Sequence, residues 1–285
     1  MKTATRHFIF GMALSLTLLP FGYAQPPSGI PDADLPAQAE VKIRINLEQV
    51  RAQHVLEKLQ VSKTGSKERS MITFDDELGT LRKNGIQMRI RKERDQDSIE
   101  SSIKLRETLP KDVKDYLQKK DFKCELNVTP SSESSSCTLS AKRKASPEVN
   151  TLLESVSPLL VSERLSTELT PLALRSAFSS EQEVFAEVIT GLRVLSPPLI
   201  DDLRPSEVTQ IRRWKLSPEQ LRLPPLSESD LVLEHWTNRE SASPQSLELS
   251  WKTQSQNRKQ VRETLRTWFD QNAIPYFLNP PSRSE

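Results

Sequence analysis

The feature that most restricts the fold of this 285-residue chain is a strict alternation of apolar and charged side chains in short segments. Residues 38–45, QAEVKIRI, carry Ala, Val or Ile at every second position, with Glu40, Lys42 and Arg44 between them. A period of two places successive side chains on opposite faces of a β-strand. The segment is therefore predicted to be a strand with one apolar and one charged face.

The same reasoning predicts further strands and separates them from helical segments. Strands are predicted at residues 85–91, 100–106, 122–128 and 137–142, with a C-terminal hairpin at 231–236 and 247–252. Helices are predicted at 47–59 after an Asn46 cap, at 147–160 and at 258–272. Residues 211–215 fit either another strand or a basic surface turn. The mixture predicts an α+β fold.

Cations recur in pairs two residues apart on three of the predicted strands. The pairs are Lys42 with Arg44, Arg89 with Arg91, and Lys104 with Arg106. In a half-exposed antiparallel sheet such residues simply face water. If the sheet closes with its charged face inward, the pairs converge on a lumen suited to a polyanion. The alternation is compatible with both arrangements.

Composition excludes several kinds of site. The seven glycines lack the spacing of a dinucleotide fingerprint or a Walker A loop. Three histidines and two cysteines cannot form a four-cysteine zinc site or a His-Glu-x-x-His helix. Any metal would have to be a hard cation held by carboxylates.

The first 24 residues have the pattern of a secretory signal peptide, with Lys2 and Arg6 before an apolar run and cleavage expected after Ala24. A membrane anchor is the alternative, but the apolar run is short for a bilayer span. We expect a periplasmic or secreted protein with a disordered lead-in at 25–37, a tail at 279–285 and no membrane span in the mature chain. Subtracting the leader's two cations gives 40 − 2 = 38 basic against 38 acidic residues, so no nucleic-acid partner is expected.

Two cysteines, Cys124 and Cys137, enclose a serine-rich stretch. In an exported chain they are expected to form a structural disulfide across a mobile loop, worth about 3 kcal/mol by the loop-entropy estimate. Two unpaired thiols are the alternative.

Several of these segments resemble motifs of the CYTH superfamily, the triphosphate tunnel metalloenzymes. Residues 38–45 resemble the Glu-x-Glu-x-Lys opening strand, residues 73–78 the aromatic-Asp segment, and residues 88–91 the Arg-x-Arg strand. Residues 102–104 are similar to the Thr-x-Lys strand, and residues 247–250 to the closing acidic strand. The resemblance implies one domain over residues 38–278, with a divergent, partly helical region at 146–225.

The resemblance also implies a fold and a set of site residues. The fold is a closed or nearly closed antiparallel β-barrel of about eight strands with flanking helices, whose tunnel binds a triphosphate or polyphosphate and Mg²⁺ or Mn²⁺. Glu40 and Lys42 would act in catalysis. Phosphate would be bound by Lys42, Arg44, Arg89, Arg91, Lys104 and Arg106. The metal would be held by Glu40, Glu248 and Glu234, and Glu125 is a further inward carboxylate.

One position departs from the family pattern and bears on activity. Gln38 stands where the first signature Glu would be, and an amide oxygen is a weaker ligand for a divalent cation than a carboxylate. Two functions therefore remain open from the sequence. One is metal-dependent hydrolysis of a triphosphate, and the other is a noncatalytic binding or structural role for the same barrel. Protein partners are unknown.

Overall fold

The computed structural model describes residues 34–61, 65–154, 163–223, 230–238 and 246–279. Nine strands in this part of the chain close into one barrel, in the order β1-β5-β6-β4-β3-β2-β7-β8-β9. Their bounds are β1 Gln38–Ile45, β2 Lys67–Asp75, β3 Ile86–Glu93, β4 Ser98–Arg106, β5 Phe122–Val128, β6 Glu133–Lys144, β7 Arg204–Leu216, β8 Leu231–Asn238 and β9 Ser246–Gln254. Of the two predicted arrangements, the closed barrel with its charged face inward is therefore confirmed, and the half-exposed sheet is wrong.

Helices flank the barrel. They are α1 Ala52–Lys58, α2 Thr80–Lys83, α3 Pro147–Glu154, α4 Glu163–Ala177, α5 Ser180–Thr190, α6 Leu199–Asp202 and α7 Arg258–Gln271. Short 3-10 helices span Pro110–Tyr116, Pro218–Leu221 and Ser255–Asn257. None of the helices in the described residues combines the length and the apolar composition needed to cross a bilayer.

The apolar faces of the strands point outward and are covered by these helices. Val41 and Ile43 of β1 are completely buried in a cluster that also contains Val261 and Leu265 of α7. A second cluster joins β3, β4 and β6 to α3, α4 and α5. Because alternate side chains point to opposite sides of a strand, burying the outward apolar side chains in these two clusters leaves the charged side chains inside the barrel.

The divergent region has two structural roles. Its helices cover one side of the barrel, where the buried amide of Gln182 donates to the backbone oxygens of Ser101 (3.2 Å) and Leu139 (3.2 Å). Its last part forms β7, which pairs with β2 and β8 and closes the barrel. Residues 211–215 therefore belong to a strand and not to a surface turn.

The resemblance implied an antiparallel barrel, but one pair of neighbouring strands is parallel. β1 pairs with β9 antiparallel but with β5 parallel, with Gln38 opposite Glu125 and Glu40 opposite Asn127. Strand directions cannot alternate completely around a ring with an odd number of strands. Nine strands instead of about eight therefore require one parallel pair.

Other boundaries also differ from the sequence predictions. Helix α1 begins at Ala52, not at residue 47. The side chain of Asn46 accepts a hydrogen bond from the backbone N–H of Glu48 at 3.1 Å and so forms a turn in place of the first helical residues. The serine-rich stretch is the start of β6 and not a mobile loop. The last residues of the predicted lead-in are packed, since Leu35 contacts the apolar cluster that joins β1 to α7. The leader, the rest of the lead-in, residues 155–160 of the second predicted helix and most of the tail lie outside the described residues.

Candidate functional site

The barrel interior brings together cations from β3 and β4, the two strands that carry the predicted Arg-x-Arg and Thr-x-Lys motifs. Arg89 lies opposite Ser102 in the register, and its Nε donates to Ser102 Oγ at 2.7 Å. Lys104 Nζ donates to Asn127 Oδ1 at 3.4 Å. Each cation is therefore held by a neutral side chain, which orients its charge without cancelling it.

These two cations are crowded by like charges. Burial, followed by the charge of Arg91, lowers the pKa of Arg89 to about 9. The pKa of Lys104 falls well below its usual value because the side chain is buried and lies near Lys42 and Arg89. Burial is the largest cause of both shifts and the neighbouring cations add to it, so the lumen holds several cations buried close together. An anion entering the lumen would relieve this repulsion.

Arg91 extends the cationic surface along β3. Its nearest ion-pair contact is Glu100, at 3.9 Å. Its buried Nε has no hydrogen-bond partner within the part of the chain that the structure describes. A buried, unsatisfied guanidinium donor is costly and suits a phosphate oxygen, which accepts from planar guanidinium groups in pairs.

Glu40 and Lys42 of β1 lie across the lumen from β3 and form an ion pair of 2.9 Å. Burial alone would raise the pKa of Glu40, but the charges of Lys42, Lys252 and Lys104 outweigh burial and hold it at about 2. Glu40 is thus ionised at every physiological pH and serves as the counterion of three lysines.

Glu125 of β5 is the second buried carboxylate of this region. Its oxygen is 2.9 Å from Lys123 Nζ and 3.6 Å from Lys252 Nζ. Neither lysine was among the predicted site residues. The alternation of 247–252 could have identified Lys252, because it places that residue on the same face as Glu248. Asn127 and Ser102 were also missed, since neutral side chains carry no comparable signal.

The predicted metal ligands are not assembled into one site. Glu234 and Glu248 are cross-strand neighbours on β8 and β9, and Glu234 is 3.7 Å from Arg213. Glu40 lies opposite Lys252, whereas Glu248 lies opposite Arg44, four residues further along β1. That separation corresponds to about 13 Å along the strand.

The donor set therefore does not fit a divalent cation in this arrangement. Among the described residues, no three His, Cys, Asp or Glu side chains converge as a metal site would require. Glu40, Glu125 and Glu234 each have a cation within ion-pair distance. Gln38, at the position of the missing signature carboxylate, is exposed at the start of β1.

The remaining motif residues have other positions. Arg106 is exposed at the end of β4 and belongs to the rim of the lumen. Asp75 accepts the amide of Leu81 at 2.9 Å, and Asp76 binds Thr80, so both carboxylates stabilise the start of α2. The aromatic-Asp segment is therefore structural here.

The predicted disulfide between Cys124 and Cys137 is confirmed. The two residues are direct cross-strand partners in the β5–β6 hairpin, with a Cα separation of 4.0 Å. The bond fixes the register of the strand that carries Glu125 and Asn127.

No family model matches this chain, and no curated protein matches it significantly. Solved structures similar to it include a Bacillus halodurans protein provisionally named an adenylate cyclase (14% identity, 87% of this chain and 95% of that chain, TM-score 0.48). A Hippeastrum protein considered an adenylyl cyclase, with a dominant triphosphatase activity, has 14% identity over 86% of this chain and 92% of its own (TM-score 0.49). A Pyrococcus horikoshii protein has 9% identity over 85% and 94%, respectively (TM-score 0.38). The strand pairing itself establishes the closed barrel that the CYTH resemblance implied.

Proposed function

We propose that this protein binds a triphosphate or short polyphosphate inside its barrel. The observation that carries the proposal is the group formed by Arg89, Arg91 and Lys104, whose side chains face one lumen from the paired strands β3 and β4. The charge of Arg91 lowers the pKa of Arg89, and the charge of Arg89 lowers that of Lys104. A chain of phosphate oxygens supplies both the negative charge and the multiple acceptors that this group lacks. Lys42 adds a fourth cation from the facing strand β1.

We further propose that binding does not depend on a resident Mg²⁺ or Mn²⁺. Glu40, Glu125 and Glu234 each have a lysine or arginine within ion-pair distance, and Gln38 removes one potential ligand. Hydrolysis is the second candidate function, and it is favoured by one observation, the neighbouring carboxylates Glu234 and Glu248 on the inward face.

A pair of measurements on the purified protein separates these functions. Phosphate release from tripolyphosphate and from ATP is measured with EDTA, with Mg²⁺ and with Mn²⁺. Thermal unfolding is followed in the same buffers. The proposal expects a tripolyphosphate-dependent rise in the unfolding temperature in EDTA and no release above buffer. Release that requires either metal would establish the second candidate, and the lack of a shift in every buffer would contradict both.

We also propose that the protein is exported to the periplasm or secreted, as the leader sequence predicts. A structural disulfide supports this proposal because such bonds persist in oxidising compartments. The test is the intact mass of the protein recovered from the periplasm or medium. The expected mass lacks residues 1–24 and two hydrogens of the cysteines, whereas a full-length, reduced protein in the cytoplasm would contradict the proposal.

A further inference from the structure

Three apolar side chains interrupt the charged lining of the barrel. Met71 of β2 and Trp236 of β8 form a separate buried cluster with Ile211 of β7, and their exposed fractions are 4%, 8% and 2%. Met71 alternates with Ile72, which packs outside the barrel in the cluster formed with helices α3, α4 and α5, so Met71 points inward. We call this group the lumen cluster.

The strand register places the lumen cluster beside the cationic group. Met71 is directly opposite Arg91 across the β2–β3 ladder. Ile211 is opposite Arg69 across β2–β7 and opposite Trp236 across β7–β8. The lumen cluster is therefore a small apolar patch, bordered by Arg69, Arg213 and Glu234, that adjoins the cationic group at Arg91.

We propose that the lumen cluster determines which triphosphates can bind, by occupying the space that an organic group would need. The inferred ligand class is inorganic tripolyphosphate, or a triphosphate with a very small substituent, and nucleoside triphosphates are excluded. This inference rests on the proposed function, since it specifies the ligand of the same site.

The packing of the cluster supports exclusion over recognition of an organic group. Its side chains are almost completely covered by the rest of the protein, so they do not present an open apolar platform. Close-packed side chains do not yield the volume of a nucleoside without displacement, and overpacking a filled site is destabilising.

The test compares two ligands of equal triphosphate charge that differ in the size of the organic group, methyl triphosphate and ATP. Their dissociation constants are measured by calorimetry in EDTA, with tripolyphosphate as reference. The wild-type protein is expected to bind methyl triphosphate at least about tenfold more tightly than ATP, a difference of ~1.4 kcal/mol. Trp236→Ala and Met71→Ala are each expected to reduce this ratio to about threefold or less, because they vacate the space.

Leu233→Ala is the matched control, because Leu233 lies on the same strand as Trp236 but is buried outside the barrel, in the cluster that contains Val261 and Leu265 of α7. It should leave the ligand ratio unchanged whatever it does to stability. A wild-type protein that binds ATP as tightly as methyl triphosphate would overturn the inference and leave the proposed function intact. No binding of tripolyphosphate or either triphosphate would instead refute the proposed function. If Trp236→Ala does not fold, an unchanged ratio in Met71→Ala is sufficient to overturn the inference.

Discussion

Lys42 Nζ lies 2.9 Å from Glu40 Oε2, and both side chains project from one strand into a lumen that also contains Lys104. In a metal-binding tunnel this carboxylate would be a ligand. Here it is the counterion of lysines, and an incoming phosphate chain would compete with it for the same cations. The two roles make opposite predictions for the loss of its charge.

Glu40→Gln is expected to strengthen tripolyphosphate binding in EDTA by at least about fivefold, because removing one nearby negative charge relieves a repulsion of about 1 kcal/mol. Calorimetry of the variant and the wild type measures the change. Glu187→Gln, on the exposed surface of α5, is the matched control and should have no effect. Weaker binding in Glu40→Gln, restored by neither metal nor salt, would show that the carboxylate holds the ligand.

Acid should destabilise the protein through the same residue. The pKa of Glu40 is lowered from 4.5 to about 2 in the folded state. The resulting stabilisation is therefore complete above pH 4.5 and is lost as the pH falls towards 2, by about 3 kcal/mol in total. Urea unfolding at several pH values between 2 and 6 measures it. Glu40→Gln should show a smaller loss over this range, and parallel curves for both proteins would contradict the assignment.

Alkali should weaken ligand binding before it affects ordinary lysines. Burial and the charges of Lys42 and Arg89 hold the pKa of Lys104 well below 10.5, so its ammonium group loses a proton first. The folded state then binds fewer protons than the unfolded state, so this group makes the protein more stable as pH rises while affinity falls. Calorimetry with tripolyphosphate from pH 7 to 10 tests the effect. Lys104→Arg, which keeps its charge, should bind with a flatter pH profile, and identical profiles would refute the role of Lys104.

Reduction of the disulfide should lower stability without abolishing binding. The bond joins cross-strand partners 13 residues apart, and closing a loop of this size contributes about 3 kcal/mol in the loop-entropy model. Urea unfolding with and without dithiothreitol measures the loss. The double variant Cys124→Ser and Cys137→Ser should be equally destabilised and insensitive to dithiothreitol. An unchanged wild-type midpoint under reducing conditions would mean that the bond does not stabilise the barrel.

The strands with a strict period of two could be predicted from the sequence, because one face of each is buried under helices. β1, β3, β4 and the β8–β9 hairpin appeared within a few residues of their observed bounds. β2 was missed, because the run from Met71 to Phe74 is buried on both faces and does not alternate. The serine-rich start of β6 was missed for a different reason. Ser135 and Ser136 are buried on opposite faces of the strand, but composition alone makes a run of serines look like a loop.

The cations of the site could also be predicted, but their environment could not. Alternation places Arg89 and Lys104 on one face, yet only the register reveals that their hydrogen-bond partners are neutral and that Glu40 is paired with Lys42. The parallel pairing of β1 with β5 decides which carboxylates lie together, and no local pattern encodes it. The lumen cluster was likewise invisible, because it is formed by single apolar residues from three strands that are distant in the chain.

The most direct test of the central claim is calorimetry of tripolyphosphate with the wild-type protein and with Arg89→Ala, both in EDTA. Arg175→Ala on the outer helix α4, where the arginine is half exposed, is the matched control. We predict one binding site in the wild type and the control, and an affinity about 10- to 100-fold lower in Arg89→Ala, the cost of losing charge-assisted hydrogen bonds. Equal affinity in all three proteins, or no binding to the wild type, would contradict the claim that the barrel interior is an anion site.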